Sequence, residues 1–177
     1  MPFPTNHLGV NFAVETASRI IKETRAQAVK LEGGADQVEV IKAISRAGIP
    51  VMAHVGLRPQ SIHQIGSYRV ERNVERLFED SRAVEEAGAF SLLLECIPES
   101  VAAQITSDLA IPTIGIGAGV DCDGQVLVMH DLLGLSDWSP SFAKVYANLG
   151  SLAGQAARSF ADEVGNRKFP DDAHSYR

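Results

Sequence analysis

The stretch Phe90-Ser91-Leu92-Leu93-Leu94-Glu95-Cys96 is nearly all apolar until its last two residues, where a carboxylate and a thiol appear. A run of this length that does not alternate reads as a strand covered on both faces, the kind found in parallel sheets. The residues around it agree. On its N-terminal side, Val74 to Ala87 repeats Val74, Leu77, Phe78, Ser81 and Val84 at helical spacing and stops at Gly88. On its C-terminal side, Pro98 opens a helix with the stripe Val101, Ala102, Ile105 and Leu109. Helix, glycine turn, buried strand and polar strand end therefore follow one another.

The same order recurs along the chain. A helix over about 11–25 precedes the short strand Ala28-Val29-Lys30-Leu31, closed by Gly33-Gly34. A helix over about 36–47 precedes Val51-Met52-Ala53-His54-Val55. Ile111-Pro112 leads into Thr113-Ile114-Gly115-Ile116, and Val126-Leu127-Val128-Met129-His130 reads as a fifth strand. Two closing helices are expected at about 141–149 and 152–164. Residues 56–73 form the longest irregular segment, and a loop of that length in a compact domain usually serves function. Strands alternating with helices require a parallel sheet with crossover helices. The expected organisation is one α/β domain over 1–177.

Composition bounds the function classes. The 177 residues are 45% hydrophobic and 21% charged, with a net charge of -6, and the pI is near 5.3. This balance offers no general attraction for nucleic acid or an anionic membrane. There is no apolar run long enough to span a bilayer, and residues 1–11 lack the zones of a secretion signal. Two cysteines, Cys96 and Cys122, make no disulfide framework, which suits a reducing cytoplasmic setting.

Sites in parallel sheets and barrels form at the C-terminal ends of the strands. That rule selects Lys30 and Glu32, His54, Glu95 and Cys96, the run Gly115 to Gly119, and His130 with Asp131. Lys30 and Glu32 are two apart on a strand and leave the same face. Lys30 can hold a substrate carboxylate and Glu32 a divalent metal, or the two can form a rim ion pair. His54 can act as acid, base or hydrogen-bond donor, or be a core histidine. Glu95, desolvated after four apolar residues, can shuttle protons or pair with a nearby cation. Cys96 leaves the opposite face and reads as a packed thiol. The glycine run lacks the lysine of a P-loop and is weak evidence for a phosphate site. Arg58, Arg69 and Arg72 can draw an anion to the long loop or sit solvated. No zinc spacing, nucleophile elbow or dinucleotide fingerprint is present.

These residues lie in segments that resemble the ketopantoate hydroxymethyltransferase family. The segments are VKLEGG (29–34), HVGLRPQS (54–61), LECIP (94–98), IGIGAG (114–119), DGQVLV (123–128) and HDLLGL (130–135), with Phe169-Pro170 and His174-Ser175 near the end. The resemblance implies a (β/α)8 TIM barrel of the phosphoenolpyruvate/pyruvate superfamily. It implies hydroxymethyl transfer from 5,10-methylenetetrahydrofolate to 3-methyl-2-oxobutanoate, giving 2-dehydropantoate in pantothenate biosynthesis. A magnesium ion chelated by the 2-oxo acid would stabilise the enolate. Carried over by motif, Lys30 and His54 bind substrate, Glu32 belongs to the metal environment, and Glu95 takes or gives the proton. A homo-oligomer is implied as well.

Two departures accompany the match. Ser67-Tyr68-Arg69-Val70-Glu71-Arg72 lacks the two glycines of the family's Gly-Tyr-Lys-Val-Gln-Gly stretch. The family's two aspartate metal ligands lie on strands before the region matched here, and a closed barrel needs about 250 residues. The expectation is therefore about the last five βα units of a barrel. Its alternative function is a catalytically inactive remnant with a binding or structural role.

Overall fold

The structure is a computed structural model. It describes residues 1–177, Ile65 excepted for its side chain. The chain packs as two compact units, Met1–Val126 and Leu127–Arg177.

In the first unit, α1 (Val10–Glu23), β1 (Val29–Glu32), a 3-10 turn (Ala35–Gln37) and α2 (Val38–Arg46) lead to β2 (Val51–Gly56). A second 3-10 turn (Pro59–Ser61) and the short α3 (Ile62–Ile65) precede α4 (Val74–Glu86). Then come β3 (Ser91–Glu95), α5 (Glu99–Asp108), β4 (Thr113–Ile116) and β5 (Gly124–Gln125). The strands form one sheet in the order β1-β2-β3-β4-β5, and every pairing is parallel. Sequential order leaves no point where the winding reverses. This is the strand succession of a (β/α)8 barrel and not that of a doubly wound sheet. Among the described residues β1 and β5 each pair with one strand only, so the sheet is an open arc of five.

The register divides the strand residues between two faces. Val29, Leu31, Val51, Ala53, Val55, Leu92 and Leu94 all join the hydrophobic core, together with Ile41 and Ile44 of α2, Leu77 and Val84 of α4, and Ile105 of α5. Their period-2 spacing puts them on one face, which the helices cover. The other face carries Lys30 and Glu32, Met52 and His54, Leu93 and Glu95, and Ile114 and Ile116; register neighbours such as Glu32 and His54 share it. The continuous apolar runs thus hide an asymmetry, because in β1, β2 and β3 the polar residues interrupt only this second face. Helix starts follow ordinary capping chemistry: the Asn73 side chain accepts the Arg76 N–H at 3.0 Å, and Pro98 caps α5.

Two expectations are corrected. The fifth strand is Gly124–Gln125 and not 126–130. Asp123 sets it, since its carboxylate accepts the Thr113 backbone N–H at 2.8 Å and brings Gly124 opposite Ile114. Met129 and His130 instead open α6 (Met129–Leu133), in the second unit. That unit continues into one long helix, α7 (Leu149–Gly165), where two were expected. Residues 141–148 are not helical. The Tyr146 N–H donates to Leu132 O at 2.9 Å, a bond no continuing helix could make. Asn148 then caps α7, its side chain accepting the Ser151 N–H at 3.2 Å.

Candidate active site

Lys30, Glu32, His54 and Glu95 come together at the C-terminal ends of three adjacent strands. Glu32 lies opposite His54 in the β1–β2 register, and Gly56 lies opposite Glu95 in the β2–β3 register. The Lys30 ammonium is 3.8 Å from Glu32 Oε1. His54 Nε2 is 3.1 Å from Glu95 Oε2, although the contact does not have hydrogen-bond geometry. Both ring nitrogens of this buried histidine lack a hydrogen-bond partner. A buried imidazole with nothing to bond is costly. His54 therefore keeps hydrogen-bonding capacity that its neighbours in the chain leave unused.

Burial grades the site. Glu32 and His54 are buried; the Glu95 side chain is 15% exposed and that of Lys30 41%. A ligand would thus meet the lysine first and the carboxylate of Glu95 deeper in. Gly56 allows the strands to close up here. Its φ is +91°, and a Cβ at this position would lie 2.2 Å from the backbone oxygen of Glu95. Only glycine fits.

Cys96 takes no part. It is buried, and burial, reinforced by the neighbouring charge of Glu95, pushes its thiol up to about 11. A thiol held protonated is a poor nucleophile. His130 and Asp131 belong to α6 in the second unit and are not on the strand ends of the sheet. The Arg58 guanidinium is engaged with both Asp36 oxygens at 2.9 Å. Arg69 lines a cavity of about 200 Å³ with Gly56, Arg58, Arg76 and Asp80. Lys30, His54 and Glu95 are not among its lining residues.

Sequence reasoning missed two neighbours. The Gln60 backbone N–H donates to Glu32 Oε2 at 2.9 Å. Asn6, fully buried, donates its amide to the Glu32 carbonyl and to Gln37 Oε1, each at 3.3 Å. No residue type announces a backbone donor. Asn6 stands in an N-terminal turn with no periodic pattern around it.

The fit of a magnesium ion can be tested on these donors. Among the described residues no three His, Cys, Asp or Glu side chains gather closely enough to hold a metal. Glu32 stands alone as a carboxylate at the end of β1, with one oxygen on Gln60 and the other facing Lys30. Magnesium requires near-octahedral oxygen coordination, and this set does not meet it.

Comparison with known proteins follows the same lines. The family model for ketopantoate hydroxymethyltransferase matches residues 1–172. A 3-methyl-2-oxobutanoate hydroxymethyltransferase from Rhodopirellula baltica is 52% identical over 177 residues, covering 99% of this chain and 66% of that protein. One of the same name from Desulforapulum autotrophicum is 52% identical over 178 residues, covering 100% and 68%. The chain spans about two thirds of the length of the curated relatives it matches.

Proposed function

The chain belongs to the ketopantoate hydroxymethyltransferase family, and from that premise we propose that its strand-end site serves hydroxymethyl transfer from 5,10-methylenetetrahydrofolate to 3-methyl-2-oxobutanoate. The product is 2-dehydropantoate. The observation that carries this reading is the convergence of Lys30, His54 and Glu95 on one face of three consecutive strand ends.

The chemistry assigned to each residue follows from its place. Lys30, the most exposed of the set, receives the carboxylate end of the 2-oxo acid and supplies the positive field that an acidic chain otherwise lacks. His54, with both ring nitrogens free of hydrogen bonds, donates to a substrate oxygen. Glu95, at the end of β3 and 3.1 Å from His54 Nε2, removes the proton from C3, the carbon next to the ketone. The resulting enolate carbon forms the new bond to the one-carbon unit, both C–N bonds that tie that carbon to the folate break, water supplies the hydroxyl oxygen, and tetrahydrofolate leaves. The family resemblance also implies magnesium, but the donors of this chain do not make a site for it. A cytoplasmic location and a homo-oligomer belong to the same proposal and rest on that resemblance alone.

Calorimetric titration with 3-methyl-2-oxobutanoate, paired with deuterium exchange at its C3 in D2O, tests the reading. Saturable binding that is lost in Lys30→Ala, and exchange that is lost in Glu95→Gln, are expected. Binding indifferent to Lys30→Ala overturns it. A second reading, a binding-only barrel remnant, is favoured by the incomplete metal donor set. It gives saturable binding with no C3 exchange at all.

A further inference from the structure

We propose that Glu32 is a positioning residue that fastens the head of the 56–73 loop to the strand bearing Lys30. The end of β1 and the turn after it are joined to β2 and the segment after it by three contacts. The Gly33 N–H donates to His54 O at 3.0 Å. Asp36 grips the Arg58 guanidinium with both oxygens at 2.9 Å. Glu32 Oε2 takes the Gln60 N–H at 2.9 Å, inside the 3-10 turn Pro59–Ser61.

The three contacts differ in weight. Asp36 is about half exposed, and an exposed ion pair contributes little. The Glu32 side chain is 6% exposed, so its bond to Gln60 is shielded from water and charge-assisted, the stronger kind. Losing it would also leave a half-buried N–H without its acceptor. The remaining oxygen of Glu32 faces the Lys30 ammonium at 3.8 Å. One side chain therefore reaches both the loop head and the lysine assigned to substrate. The loop goes on to lie across the next strand end, where the Glu71 N–H donates to Cys96 O at 3.0 Å. Glu32 thus anchors one end of a strap whose other end is held at Cys96, the residue after Glu95.

Amide hydrogen exchange on the whole 177-residue chain tests this, with amides of β2 and β3 as the folding control. Glu32→Gln keeps an oxygen acceptor and loses the charge; Glu32→Ala loses both. Gln60 exchange in Glu32→Ala is expected to rise at least about tenfold while the strand amides stay protected. Glu32→Gln is expected to restore protection to within about threefold of the parent, since a neutral acceptor keeps much of the bond. Asp36→Ala is expected to accelerate Gln60 less than Glu32→Ala does. Unchanged Gln60 protection in Glu32→Ala, or protection lost in Glu32→Gln with the strands intact, overturns the proposal. If Glu32→Ala fails to fold, the Glu32→Gln result decides by itself. Only the role of Lys30 here rests on the proposed function. Exchange is read without substrate, so a chain that does not turn over still reports on the strap.

Discussion

Residues 1–126 and 127–177 use their apolar side chains in opposite ways. Every buried hydrophobic residue, from Ala13 to Cys122, lies in the first unit. The second unit has none, and Trp138, Tyr146, Leu152 and Phe160 are all more than half exposed. In the first unit the sheet alternates, so one face can be given to the core and the other to Lys30, His54 and Glu95. In the second, α7 has no buried residue at all, and its order depends on helix propensity and its cap. A core that fixes strands fixes the side chains at their ends; the second unit offers no such support.

The largest expected effect concerns Glu95. Glu95→Gln should lower the rate of C3 exchange by about 10²–10⁴-fold, measured by proton NMR in D2O. A rate within a few-fold of the parent would break the link between the strand ends and the chemistry.

Core and surface truncations should separate the units next. Leu94→Ala removes a fully buried side chain and should cost about 2–5 kcal/mol in denaturant unfolding. Phe160→Ala, more than half exposed, should cost under about 1 kcal/mol by the same measurement. Equal costs would show that the second unit is packed as firmly as the first.

Both cysteines lie in the first unit, and burial raises each thiol above its ordinary value. At pH 8 a thiol raised from 9.0 to about 11 is thiolate about a hundredfold less often than an unperturbed one. Cys96 should therefore label slowly with iodoacetamide at pH 8, and its rate should climb about tenfold per pH unit up to about 11. Peptide mass spectrometry reads this. A pH-independent fast rate would mean that the β3 end is open.

Two glycine substitutions should differ in sign. Gly56→Ala places a Cβ against the Glu95 backbone at positive φ and should destabilise by about 1–3 kcal/mol. Gly154→Ala, inside α7 with its nearest neighbour a flexible guanidinium at 3.4 Å, should stabilise by about 0.5–1 kcal/mol. Thermal unfolding followed by circular dichroism distinguishes them.

The same contrast explains what could be read from the chain. Strands β1 to β4 are legible because a strand covered on both faces is apolar along most of its length, and their glycine and Ile-Pro boundaries are local chemistry. The fifth strand was misplaced because an apolar run such as Val126-Leu127-Val128-Met129 fits a helix start as well as a strand. Pairing was decided by Asp123 and Thr113, two polar residues outside that run. The break at 141–148 hangs on one long-range bond, from Tyr146 to Leu132. Lys30, Glu32, His54 and Glu95 stood out because a polar residue at an apolar strand end is conspicuous. Gln60 did not, because it contributes a backbone N–H that every residue but proline carries. Arg58 was legible as a cation but not as the partner of Asp36.

The sequential strand order has a consequence for how the sheet assembles. Val29 meets Val51 and Leu92 meets Thr113 across comparable stretches of chain, whereas Ala53 must find Leu92 across nearly twice as much. Doubling a loop costs about 0.6 kcal/mol of closure entropy, and slow steps in folding are those that join distant segments. The joining of β2 to β3 therefore carries the largest loop-closure cost of the four pairings. It is also the pairing that assembles His54 and Glu95, so the site is completed only when the most distant segments of the sheet are joined.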